Sequence, residues 1–253
     1  MSGAIDLAGS QLGVGFFLRW NGVAALAIAL SVAATAILTI VGIETSSEDL
    51  FFSLIGAAVL SFPVMVGLGH GWVMRSRLRR PMLWGTLTGG GIVAAWAVVV
   101  AVAFSLGELW QPPIWQLAVW VAHALDLGAP PSTGLAYASA GLLFGLTLGA
   151  MQAAALDLGW GARLRWVAVS AAAGLPAAIW LYLCVEVDAI ANGLLMRIAE
   201  SLPLPARWRD LPMVVPVAII LCLCFTLPTG FTMERLLRRH RRASAESVVR
   251  RFD

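Results

Sequence analysis

Lysine is absent from this 253-residue chain, and all 17 basic residues are arginine. That exclusivity reads as a compositional habit. Charge of either sign is scarce, at 12% of residues, where a water-facing domain carries about a quarter. The chain therefore lacks the polar surface of a soluble fold. Cysteine occurs three times, as Cys184, Cys222 and Cys224. Cys222 and Cys224 stand two apart, so on a helix they point to opposite sides and cannot pair locally. With no histidine near them they make a poor metal set, and they read as small apolar fillers. The three histidines are dispersed, with His123 in an outer segment and His240 in an inner tail, which argues against a bis-histidine haem. H-E-x-x-H and G-x-S-x-G are missing, and no serine or cysteine is set beside a histidine in an apolar run. No catalytic residue, cofactor or metal site is expected.

What is abundant is apolar sequence: 60% of residues belong to the hydrophobic set, and the mean hydropathy is +0.85. It is divided into long uncharged runs. About 20 residues at 1.5 Å rise cross a hydrocarbon core of about 30 Å. Six stretches meet that length: Gly22–Ile43, Leu50–Met74, Met82–Leu106, Ser132–Leu156, Trp166–Val185 and Leu211–Met233. The first is too long for a signal-peptide core and is followed by the charged loop Glu44–Asp49, so it is kept as a membrane helix. The fold class expected is an all-α integral membrane protein with six transmembrane helices, arranged as three hairpins. Residues 1–18 form a short N-terminal segment lying on the membrane surface, residues 19–237 the membrane domain and residues 238–253 a basic tail. Arg19-Trp20 reads as an interfacial anchor.

The arginines set the orientation. With a cytoplasmic N-terminus, fourteen of them fall inside, in Arg19, Arg75–Arg80, Arg163, Arg165 and the tail from Arg235. Only Arg197, Arg207 and Arg209 fall outside, in accord with the positive-inside rule. A bacterial-type plasma membrane with both ends cytoplasmic is the expected location. Two outer segments are longer than connection demands. Leu109–Leu127, with Trp110, Trp115 and Trp120, and Asp188–Pro203, with an Ile190/Leu194/Ile198/Leu202 stripe, suit interfacial helices.

A shift of 82 residues places Trp84 on Trp166, Gly67 on Gly149, and His70 on Gln152 and then Glu234. It defines the three hairpins, with matching starts at Arg19-Trp20, Arg80–Trp84 and Arg165-Trp166. His70, Gln152 and Glu234 then share one depth and form a candidate intramembrane polar cluster, since polar groups in a bilayer turn towards protein or a cavity. The plainer reading is interhelical hydrogen bonding. Gly67/Gly71, Gly85/Gly89 and Gly145/Gly149 are small-residue pairs four apart, suited to close packing within the chain or against a partner helix. Gly89-Gly90-Gly91 lacks the lysine of a phosphate loop. Glu186 and Asp188 do not converge on a helix. Pro228 removes an interior hydrogen bond and, with Gly230, marks a hinge in the sixth span.

The expected partners are the bilayer, anionic lipids at the basic tail and other membrane subunits, with no nucleic acid. The function expected first is a non-catalytic subunit or accessory of a membrane complex. A transporter or permease subunit for a small or amphiphilic solute comes second, on the strength of the repeat.

Overall fold

The computed structural model describes residues 3–45, 48–125, 131–186, 197, 201 and 211–249. These form six long α-helices: α1 (Gly3–Thr45), α2 (Glu48–Met74), α3 (Pro81–Leu125), α4 (Pro131–Ala155), α5 (Trp160–Glu186) and α6 (Leu211–Val249). No strand occurs among the described residues. Five helices are long and apolar enough to cross a membrane, over Gly13–Thr35, Pro81–Val102, Gly134–Ala155, Trp160–Cys184 and Val215–His240. In α2 the corresponding apolar stretch among described residues is the shorter Leu60–Met74. The fold is that of a helical membrane protein, with lipid-compatible side chains such as Leu30, Leu60, Val64 and Ile179 at least half exposed around it.

Each helix packs on its neighbours in the chain, and α6 packs back on α1. The six helices therefore close into a ring. Two tight turns hold consecutive helices together at the arginine-bearing end. After α2, the amides of Arg77 and Leu78 donate to the Met74 carbonyl at 2.9 and 3.0 Å, and Pro81 then opens α3 at a position where its missing N–H leaves nothing unsatisfied. After α4, the amides of Ala162 and Arg163 donate to Gly159, while Arg163 Nε donates to the Leu158 carbonyl at 3.0 Å.

Glycine decides how closely the helices meet. A Cβ added to Gly67 would lie 2.5 Å from the Gly85 carbonyl oxygen, and one added to Gly89 would lie 2.7 Å from that of Pro63. The α2/α3 seam is thus backbone on backbone, which gains dispersion contacts no larger residue allows. The α4/α5 seam repeats this, with Gly141 against Gly174 and Gly145 against the Ser170 backbone. All six glycines picked out by their spacing pack inside the ring.

The 82-residue shift maps several buried positions onto buried positions. Val73, Ala155 and Leu237 are all in the core, as are Val66 and Leu148, with Gly230 as the third member of the latter set. Two stacked layers fill the interior. The first lies at the arginine end around Trp20, Trp84 and Trp166, and the second around Ala27, Val66, Ile92, Ala95 and Leu148, with Phe62, Phe144 and Phe225 packed on it.

Several local expectations differ from this structure. Residues 3–18 are not a separate surface helix but the first turns of α1, and Phe16 is core. Trp20 is no interfacial anchor: it is 1% exposed, because its neighbours on α2, α3, α5 and α6 enclose it. Leu109–Leu125 continues α3 without a break, so Pro112-Pro113 falls within a 45-residue helix, and His123 stands on that helix. Asp188–Pro203 lies outside the described residues apart from Arg197 and Ser201.

Candidate functional site

Three tryptophans, one from the first helix of each hairpin, meet at the arginine end of the ring. Trp84 stands four residues into α3, its amide bonded to the Arg80 carbonyl at 3.1 Å, and Trp166 stands on the second turn of α5. Their ring centroids are 5.7 Å apart, and Trp20 lies 6.2 Å from Trp84 and 6.3 Å from Trp166. The interplanar angles of 49°, 89° and 59° are tilted to edge-on contacts, the favoured arrangements of aromatic quadrupoles. All three rings are at most 1% exposed. This triangle of indoles closes the ring's interior at this level. Arg77, from the α2/α3 turn, covers it from outside by lying 4.0 Å over the ring of Phe16, which itself contacts Trp20.

The second helices bring the predicted polar residues to this triangle, but not all three in the same way. His70 is buried and stacks on Trp20, with centroids 4.1 Å apart and planes at 13°. Its Nε2–H donates to the Trp20 carbonyl at 3.3 Å. Gln152 is also buried, and its Nε2 donates to Thr88 Oγ1 at 3.0 Å, while that hydroxyl donates to the Trp84 carbonyl at 2.9 Å. Each of these two residues thus reaches the first helix of its own hairpin. Glu234 departs from the pattern. It forms an ion pair with Arg238 one turn along α6, and both lie against Gly13 of α1. The structure therefore joins His70 and Gln152 through the tryptophans and leaves Glu234 at the ring's end.

Proline 228 sits inside an unbroken α6. The next residue along adds a side-chain bond of its own, Thr229 Oγ1 sharing its proton between the carbonyls of Phe225 and Thr226 at 3.0 and 3.2 Å. Back-bonding of this kind tends to bend a helix. Gly230 has a packing role as well, for a Cβ there would lie 2.7 Å from Trp20 Cδ1. Cys222 is buried and Cys184 and Cys224 are half-buried, all as free thiols. Among the described residues no three His, Cys, Asp or Glu side chains are grouped to hold a metal.

Sequence reasoning missed the unpaired atoms. The indole Nε1 of Trp20, Trp84 and Trp166, His70 Nδ1, Gln152 Oε1, Asn21 Oδ1, Ser170 Oγ and Thr226 Oγ1 are buried without a hydrogen-bond partner. An unsatisfied buried polar atom costs about 1–3 kcal/mol, so their concentration around one aromatic triangle makes this the candidate site. A signal was present in the chain. Each tryptophan is followed four residues later by a small residue, Ala24, Thr88 or Ser170, and all three are fully buried. No protein-family model, curated protein or solved structure matches this chain.

Proposed function

We infer that the protein is a non-catalytic membrane carrier, of the transporter or permease type, whose solute passes between the three hairpins. The carrying observation is that His70 and Gln152, at equivalent positions of two hairpins, are buried with unpaired atoms on the tryptophan triangle that closes the ring. Carriers assembled from repeats place their sites between the repeats, with polar groups facing the interior. The triangle then acts as the closed gate of one conformational state. A subunit role in a larger complex draws less from the geometry, because the glycine strips that suited a partner helix are occupied within the ring. That reading retains only the basic end of α6, which also suits anionic lipid headgroups at about 1 kcal/mol per arginine.

The membrane is a bacterial-type plasma membrane crossed six times, α2 included, and the arginine end is cytoplasmic by the positive-inside rule. Thr88, fully buried beside Gln152, reports on the gate. In a background with Cys184, Cys222 and Cys224 replaced by Ala, a Thr88→Cys variant is treated with a membrane-impermeant cationic methanethiosulfonate. A carrier that opens exposes this thiol, so it reacts over minutes in inverted vesicles. Trp160→Cys, at a 73% exposed site in the α4/α5 turn, reacts at once in inverted vesicles and not in intact cells. A thiol at residue 88 that stays inert for hours beside a reactive control at 160 contradicts the carrier reading.

A further inference from the structure

The third seam of the ring departs from the other two. Aligning Trp20 with Trp84 and Trp166 puts Asn21 where Gly85 and Val167 stand, while the 82-residue shift puts Phe231 where Gly67 and Gly149 stand. Gly67 and Gly149 are buried against their neighbour helices, whereas Phe231 is 49% exposed and Leu227 42%. A phenyl group forbids the backbone contact that glycine permits. Helix α6 instead turns Gly230 onto the Trp20 indole.

Among the described residues, half of the unpaired buried atoms lie on Trp20 and its chain neighbour, on the α6 turn before Gly230, and on the histidine stacked on Trp20. They are Trp20 Nε1 and Asn21 Oδ1 on α1, Thr226 Oγ1 on α6 and His70 Nδ1 on α2. All four residues are more than nine-tenths buried. Thr226 and Gly230 are one turn apart and so share the face that α6 presents to α1. An indole N–H only donates, an amide oxygen only accepts and a hydroxyl does both; His70, donating from Nε2, accepts at Nδ1 when neutral. The charges nearest this seam are engaged with other groups: Glu234 and Arg238 pair with each other against Gly13, Arg235 lies 4.1 Å over the Phe231 ring, and Arg19 is exposed. A mixed donor and acceptor set whose neighbouring charges are already engaged matches a hydroxyl group better than an ion. Access differs from the interior route, because the indole triangle closes the axis while Leu227 and Phe231 lie partly exposed on the outer side of the ring, Phe231 under the Arg235 guanidinium.

We propose that the α1/α6 seam binds the hydroxyl-bearing head of a neutral amphiphile that enters sideways from the bilayer. This rests on the carrier reading and names its substrate class. The test is photolabelling of the intact protein in nanodiscs with a diazirine-bearing octanol, followed by peptide mass spectrometry. Label falls on the segments holding Trp20–Ala24 and Thr226–Phe231, and excess 1-octanol competes it away. Thr226→Val, nearly isosteric, lowers that labelling about fivefold, the factor one hydrogen bond supplies, with melting temperature unchanged. Label confined to outward-facing residues, or undiminished by competitor or by Thr226→Val, overturns the proposal and leaves water as the occupant. If residue 88 still becomes reactive in the gate experiment while the seam stays unlabelled, only the amphiphile is refuted. If both are silent, the carrier reading falls with it.

Discussion

At the scale of single residues, the structure separates tryptophans that look alike in sequence. Trp20 follows Arg19 and Trp160 stands between two glycines, yet one is fully enclosed and the other 73% exposed. The difference arises from the ring. A position on the first helix of a hairpin faces four other helices only when its turn of helix points inward, and that direction is not written in the local sequence. Removing a buried indole leaves a cavity whose surroundings collapse only in part. Trp84→Ala and Trp166→Ala should each destabilise the fold by about 3–5 kcal/mol, whereas Trp160→Ala should stay within about 0.5 kcal/mol. Unfolding in detergent, followed by circular dichroism, reads both. Equal effects at the three positions would remove the triangle from the account. His70 and Gln152 were legible as inward-facing polar groups, because charge-free apolar runs make any such residue conspicuous. Their partners were not, since Trp20 and Thr88 are 50 and 64 residues distant in the chain.

At the scale of elements, glycine spacing was the most informative local signal. Gly67, Gly71, Gly85, Gly89, Gly145 and Gly149 all serve helix contacts, and what the spacing left open was whether the contact lay inside the chain. The ring answers that. Gly141, four residues before Gly145, and Gly174, four residues after Ser170, complete the α4/α5 seam; Gly174 has no glycine four residues away on its own helix and so did not stand out. A branched side chain in this seam must push two backbones apart. Gly145→Val should therefore lower the melting temperature strongly, by a few kcal/mol of overpacking. Gly22 is the control, for a Cβ there meets nothing within 4 Å. Gly22→Ala should be neutral or stabilising by about 0.5–1 kcal/mol through helix propensity. A tolerated Gly145→Val would mean that the seam is looser than described. Element boundaries were less legible than element contacts. Arg19 and Leu106 read as ends of spans, but a helix continues past a membrane face as readily as within it when its residues keep good backbone geometry, and α1 and α3 do so.

At the scale of the whole molecule, the arginines of the helix-connecting turns and the three buried tryptophans occupy the same end for related reasons. Helix ends rich in arginine stay in contact with water, and the wide indoles just inside them fill the space where six helices converge. The apolar runs made the helical, membrane-type fold readable from composition alone. Closure into a ring was not readable, because it depends on the contact between the first helix and the last, the most distant pair in the chain. Only the 82-residue shift hinted at it. Three equivalent hairpins placed around one axis bring the third hairpin back to the first, and the carrier reading and the amphiphile seam both depend on that return.

Ring closure is therefore the claim to test. Gly13 of α1 lies against Glu234 and Arg238 of α6, so a Gly13→Cys, Glu234→Cys double variant in the cysteine-free background brings two thiols together across the joint. Oxidation in native membranes, read by gel mobility after protease cleavage of an engineered site in the α4/α5 turn, detects the link between the two halves. The account predicts that the halves remain joined until reductant is added. Halves that separate without reductant, while a Ser31→Cys, Ser61→Cys pair at the α1/α2 contact of 3.2 Å forms its disulfide as judged by thiol titration, would contradict a closed ring.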